Sequence, residues 1–412
     1  MAVKIAERYR GVEGGLFSKV TKADVGDSFA SMEGQVTLMG WADPFYPDPA
    51  IPDHIQEVLI DTVKTGFPAH YTMPIGSLEL RQELAKKLKK FNHISADPRR
   101  NIIITPGSDS GLFFAMSAFI GPGDEVLVPD PSYPNNFLNV QLLGAVAVPV
   151  PLDRDRGYQL DVDAFARAVT EKTKAVVLTH PNNPTTTVFR REGLEALARL
   201  VVEKDLALIV DQAFEDSVFD GIEYVSPAAL PGMWERTVTV CSISKGMGLS
   251  GFRVGYLAAD DRVMDVFHGA AVNVLGATNT LSQIAAIEAF RHPEFLAENI
   301  RAFERRRDMA WEELSGVPGV HMYRPESAFY CWLDVSSLGD STEIVDRILR
   351  EAGVAVNDGK AYGSQGAGCL RIIHGCLGDE EAARQALRRI AKVMTVIAGE
   401  REVKQGNALL GK

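Results

Sequence analysis

The runs NIIIT (101–105), DEVLVP (124–129), KAVVLTH (174–180), DLALIVD (205–211) and RTVTVCS (236–242) do most to limit how this chain can fold. Each is short, β-branched and nearly free of polar residues, so a strand made from it must be covered on both faces. Segments with helical spacing lie around and between them: IPDHIQEVLIDTVKTG, GSLELRQELAKKLKKFN and EGLEALARLVVEKD. Buried strands alternating with helices predict an α/β fold, a three-layer α/β/α large domain with a mostly parallel sheet. The 412 residues leave room for more than that. Near residue 291 the pattern changes. HPEFLAENIRAFERRRDMAWEELSG reads as one long amphipathic helix, followed by the strand-like SAFYCWLDV and CLRIIHG and by a terminal helix, EEAARQALRRIAKVMTVIAGE. This order predicts a smaller α+β domain over 291–412, a large domain over 51–290, and an irregular Gly-, Asp- and Pro-rich segment over 1–50 that joins the small domain. The last residues, VKQGNALLGK, are expected to fray.

Composition excludes several classes of partner. The formal net charge of −11 provides no basic face for phosphate neutralisation, so nucleic acid is not an expected partner. No run of about 20 apolar residues predicts a membrane span, and MAVKIAERYRGVEGG lacks the apolar core of a signal peptide. Cys241, Cys331, Cys369 and Cys376 form no CxxC pair, which fits a reduced, cytoplasmic setting. The eight histidines are scattered without an HExxH, so no metal is expected.

In open parallel sheets ligands bind beyond the carboxyl ends of the strands. NIIIT is followed by PGSDSG, where Gly107, Ser108 and Asp109 lead into a helix whose free N–H groups suit an anion, although Ser and Asp also cap helices everywhere. DEVLVP is followed by DPSYPNNF, with Tyr133 either stacking on a flat ligand or anchoring a loop. KAVVLTH is followed by PNNPTT, whose Asn182 and Asn183 are amide donors in a stiff turn, or simply turn formers. DLALIV is closed by Asp211, a carboxylate whose burial is costly unless it meets a cation or donors. TVTVC is followed by SISKGMGLSGFR, which sets Ser242, Lys245 and Arg253 among Gly246, Gly248 and Gly251. An anion cradle, an aromatic, an amide, a carboxylate, a lysine and an arginine together suit a planar phosphorylated ligand with a ring nitrogen and a carbonyl. Pyridoxal 5′-phosphate is such a ligand, taking a lysine as a Schiff base and a carboxylate on its pyridinium nitrogen.

From about Gly40 to Arg371 the sequence resembles the fold-type-I aminotransferases of class I/II, the aspartate aminotransferase-like group. SISKGMGLSGFRVGY is similar to that family's S-x-S-K-x-x-x-x-x-G-x-R-x-G-Y signature. HPNNPT, DQAFED, HYTMPIGSLELR, SAFYCWLDV and CLRI follow its other motifs in order. The resemblance implies a pyridoxal-phosphate aminotransferase moving an amino group between an L-amino acid and a 2-oxo acid. Lys245 would carry the Schiff base and shuttle the proton, Asp211 would pair with the pyridinium, and Asn183 would donate to the ring O3′. Tyr133 would stack on the ring. Ser108, Asp109, Ser242 and Arg253 would hold the phosphate, and the glycines around Lys245 would let the backbone approach the cofactor. Tyr71 would reach the phosphate of a neighbouring subunit, which implies a homodimer. Arg371 would bind the substrate α-carboxylate, with Gly40 and Asn183 beside the substrate.

Three residues depart from the family pattern: Phe214 replaces the tyrosine of D-x-A-Y, Asn136 replaces a second aromatic, and Asp358 stands where a proline–glycine turn is usual. A carbon–sulfur β-lyase or a decarboxylase would use the same cofactor and stays open as an alternative. A non-catalytic sensor half of a transcription regulator would need a basic DNA-binding domain, and the acidic chain supplies none.

Overall fold

The computed structural model describes residues 4–10, 36–46 and 51–410, so most of the 1–50 segment lies outside the described residues. The chain divides into two compact units. One comprises 50–183 and 187–300; the other comprises 1–49, 184–186 and 301–412. The division falls inside the long helix Glu294–Leu314, whereas the change of sequence pattern places it at 290/291.

The larger unit is built on seven strands: β1 (Ile102–Thr105), β2 (Glu125–Asp130), β3 (Val146–Pro151), β4 (Thr173–Thr179), β5 (Ala207–Asp211), β6 (Thr237–Ser242) and β7 (Gly255–Ala258). They lie in the order β1-β7-β6-β5-β4-β2-β3. Only β7 runs against the rest, pairing antiparallel with both β1 and β6. Alternate residues of a strand face opposite sides of the sheet, and here both sides are cores. Ile103, Val240 and Leu257 pack with Leu112, Phe114, Val140 and Phe267. Ile102, Ile104, Cys241 and Tyr256 pack with Ile55, Leu80, Leu84 and Ala285. The near-continuous apolar runs of the sequence follow from this double burial. β3 was not legible as a strand because VAVPVP carries two prolines, a pattern tolerated at an edge; it is the outermost strand and largely uncovered.

Because β7 alone is reversed, the carboxyl ends of the other strands share one edge, and Arg253, just before β7, enters at that same edge. Gly255 opposes both Thr105 and Ser242 there.

The smaller unit holds β8 (His321–Met322), β9 (Tyr330–Asp334), β10 (Asn357–Asp358) and β11 (Cys369–Ile373), an antiparallel sheet in the order β10-β11-β9-β8. Thr37–Leu38 pairs in parallel with Val354–Ala355, and Met39 bridges onward, its N–H donating to Ala355 O (2.9 Å) and its carbonyl accepting from Ile373 N (2.8 Å). That lacing holds Gly40 in this unit. The terminal helix runs Glu380–Leu410, so the backbone expected to fray remains helical nearly to the end. Among the described residues no helix is long and apolar enough to cross a membrane.

Candidate active site

The candidate anion cradle lies where β1 ends. Gly107, at φ 86°, starts helix Ser108–Ser117 without a side-chain cap, so the first N–H groups of the helix have no intrahelical acceptor. A Cβ on Gly107 would lie 2.3 Å from Arg253 Nη2, and one on Gly255 would lie 2.6 Å from Ser108 N. Two missing side chains therefore let the guanidinium and β7 close over the helix start. Arg253 itself takes a left-handed φ of 52° to turn into β7. Its guanidinium is half exposed and 4.0 Å from Asp109 Oδ2. Tyr133 and Asn135 donate to Asp109 Oδ1 at 2.9 and 3.1 Å, joining the cradle to the loop after β2. Ser242 Oγ receives the Ser244 N–H (2.9 Å) and lies 2.7 Å from Ser244 Oγ.

Asp211 closes β5, level with Thr179 on one side and Val240 on the other. Only 6% of its surface is accessible, and Oδ1 accepts from Ala213 N at 3.1 Å. Burial, reinforced by the negative charge of Asp109, pushes its pKa up to about 7; the Ala213 N–H and the Lys245 ammonium offset only part of this. Such a carboxylate is poised for a cation. Lys245 is half-buried, in a turn closed by Gly248 N donating to Lys245 O at 3.1 Å. Within the protein itself a Cβ on Gly246 would meet Asp216 Cβ at 2.9 Å, and one on Gly251 would meet nothing within 4 Å. Asn183 is buried, and its neighbour Asn182 donates to Pro131 O at 3.4 Å, tying the loop after β4 to the loop after β2.

Ser108, Asp109, Tyr133, Asn183, Asp211, Ser242, Lys245 and Arg253 thus share one sheet edge. Tyr71 stands elsewhere on the same unit, 97% exposed, although its neighbours are pinned: Thr280 Oγ1 donates to His70 O (2.8 Å) and Thr72 Oγ1 donates to Thr278 O (3.2 Å). Gly40 and Arg371 belong to the other unit and come together there, both beside Asn357. Arg371 is buried and its guanidinium carbon lies 5.3 Å from the Tyr330 ring centre and 4.9 Å from that of Tyr362.

Two of the departures, Asn136 and Asp358, have structural roles. Asn136 is buried and donates to Ser132 Oγ (2.9 Å) and Thr179 Oγ1 (3.0 Å), stapling the ends of β2 and β4 in place of an aromatic. Asp358 replaces the stiff proline turn with a capped one. It accepts from Lys360 N (3.0 Å), Ser341 Oγ (2.7 Å) and Thr342 Oγ1 (2.6 Å). The sequence hid the largely buried Lys87–Glu215 ion pair. Glu215 also accepts from Asn92 (2.6 Å) and Gln212 (2.8 Å), fixing the turn that follows Asp211. Burial works against the Lys87 charge, but Glu215, together with Cys241 and Asp216, more than offsets it and holds the ammonium above its ordinary pKa. KKLKKFN reads as a solvated helix face, and only the 128-residue contact to Glu215 shows otherwise.

The family described as "Aminotransferase class I and II" matches residues 37–390. The aromatic-amino-acid aminotransferase 2 of Thermococcus litoralis is 35% identical over 84% of this chain and 90% of its own length. The aspartate aminotransferase of Pyrococcus abyssi is likewise 35% identical over the same shares. Among solved structures, aspartate aminotransferase from Thermus thermophilus with maleate superposes with a TM-score of 0.85 at 30% identity, covering 95% of this chain and all (100%) of that one. This chain belongs to the class I and II aminotransferases.

Proposed function

We propose that this aminotransferase carries pyridoxal 5′-phosphate at the shared strand edge and works in the cytoplasm as a homodimer, exchanging an amino group between an L-amino acid and a 2-oxo acid. The observation that carries the cofactor assignment is Asp211, a buried carboxylate at the end of β5 that burial holds at a pKa of about 7. A pyridinium nitrogen is the cation such a group fits. The Gly107–Arg253 approach supports the other end: a dianionic phosphate suits a helix N-terminus closed by a guanidinium.

Pyridoxal phosphate, when bound, supplies an aldehyde and an electron-withdrawing ring. Lys245 Nζ would be the amine that holds the aldehyde, and its free amine would serve as the base that moves the proton at the substrate Cα. Asp211 would keep a proton on the ring nitrogen, Asn183 would donate to O3′, and Tyr133 would cover the ring. Ser108, Asp109 and Ser242 would hold the phosphate with Arg253. Arg371 receives the substrate α-carboxylate. Borohydride reduction followed by peptide mapping is expected to find the cofactor on Lys245; another lysine would overturn the assignment. Each amino donor should bleach the visible cofactor band, and a 2-oxo acid should restore it.

The dimer reading is supported by Ile60, Val63, Phe67, Tyr71 and Met73, large apolar residues exposed within one short stretch. Such a concentration marks a surface that a partner covers. Light scattering is expected to give twice the chain mass, and an active monomer would end this reading.

A further inference from the structure

We propose that Asn357 is a positioning residue of the substrate carboxylate site, orienting Arg371 with its oxygen and presenting its amide N–H₂ beside Gly40. The proposal rests on the reading that Arg371 receives the α-carboxylate. Asn357 and Arg371 are register partners across β10 and β11, and both are buried. Asn357 Oδ1 accepts from Arg371 Nε at 3.0 Å and from Nη2 at 2.7 Å. Tyr362 Oη donates to the same oxygen at 3.3 Å.

The amide can point only one way. Arginine has donors and no acceptor, so the oxygen must face the guanidinium and the nitrogen must face away. That nitrogen, Asn357 Nδ2, is fully buried and has no hydrogen-bond partner among the described residues. A Cβ on Gly40 would lie 2.9 Å from it. Residue 40 therefore has to be small for this amide to keep its place. A neutral amide adds no negative charge beside Arg371, whereas a carboxylate at 357 would place one against its guanidinium. The two ring faces, Tyr330 and Tyr362, hold the guanidinium flat without adding charge. The polar donor left over by this arrangement, beside a guanidinium, suits a carboxylate.

The test uses the purified holoenzyme and two probes, L-alanine and ethylamine, which differ by the presence of the carboxylate. Saturation of the cofactor absorbance change gives an apparent Kd for each. Asn357→Ala should weaken L-alanine by roughly tenfold, the loss of a hydrogen bond to a charged group. Asn357→Asp, nearly the same shape, should weaken it by roughly a hundredfold through the internal ion pair. Ethylamine binding and the maximal rate with L-alanine should change by less than about threefold. Arg371→Leu, measured alongside, tests the underlying reading. If it weakens L-alanine while both Asn357 variants leave it unchanged, the positioning role is wrong. If Arg371→Leu leaves L-alanine unchanged, the reading beneath it fails and takes the proposal with it. Equal weakening of both probes in the Asn357 variants would show a merely structural residue and overturn the proposal.

Discussion

Lys245→Ala is expected to abolish turnover, lowering kcat by at least about 10⁴-fold. A positioned general base alone contributes roughly 10²–10⁴-fold, and under the proposed function this residue would also form the covalent bond to the cofactor, so both contributions should vanish together. The fold should survive. Lys245 is half-buried in a turn held by backbone bonds such as Gly248 N to Lys245 O, and the sheet beneath it is packed on both faces by residues that the substitution does not touch. Thermal melting should confirm that. Borohydride should no longer fix the cofactor to the chain, and added small primary amines should restore part of the rate by supplying the missing base. A variant retaining more than about a tenth of wild-type kcat would show that another group takes the proton.

How far the molecule was legible in its sequence differs by element. The strands ending at Thr105, Asp130, Thr179, Asp211 and Ser242 could be read because double burial leaves a continuous apolar signature. Their shared edge followed from the α/β alternation, and it placed the residues after each strand beside one another. Arg253 reached that edge for a reason no local pattern carries: β7 is reversed, and its four residues, GYLA, do not announce a strand. Asn357 was missed because its meaning lies in a register, Asn357 opposite Arg371, that depends on two turns and a sheet edge. Lys87 was missed because a lysine-rich helix face looks the same whether water or Glu215 meets it. Asp358 was noticed as a departure, but its capping partners Ser341 and Thr342 come from a different helix.

Asp211→Asn is expected to show opposite effects with and without cofactor. Burial and Asp109 raise the folded-state pKa of Asp211 from 3.8 to about 7. A carboxyl with a raised pKa contributes stability below its unfolded value and loses it as pH rises through the folded value. Cofactor-free wild type should therefore weaken relative to the variant between about pH 4 and pH 8. At about 1.36 kcal/mol per pKa unit, the relative change is about 4 kcal/mol. Asparagine has no charge to bury, so the variant should be the more stable of the two above pH 7. With the cofactor bound, a pyridinium cation would give the ionised carboxylate its partner, and the order should reverse at pH 8. Turnover should fall by roughly 10²–10⁴-fold, the rate equivalent of about 3–5 kcal/mol for breaking a buried ion pair. Denaturant titrations of both proteins at pH 4, 6 and 8, with and without pyridoxal phosphate, measure all of this except turnover. A stability difference that does not vary with pH in the cofactor-free proteins would mean that Asp211 is ionised throughout. An order unchanged by cofactor would mean that no cation reaches it, and the ring nitrogen would then have to be held elsewhere.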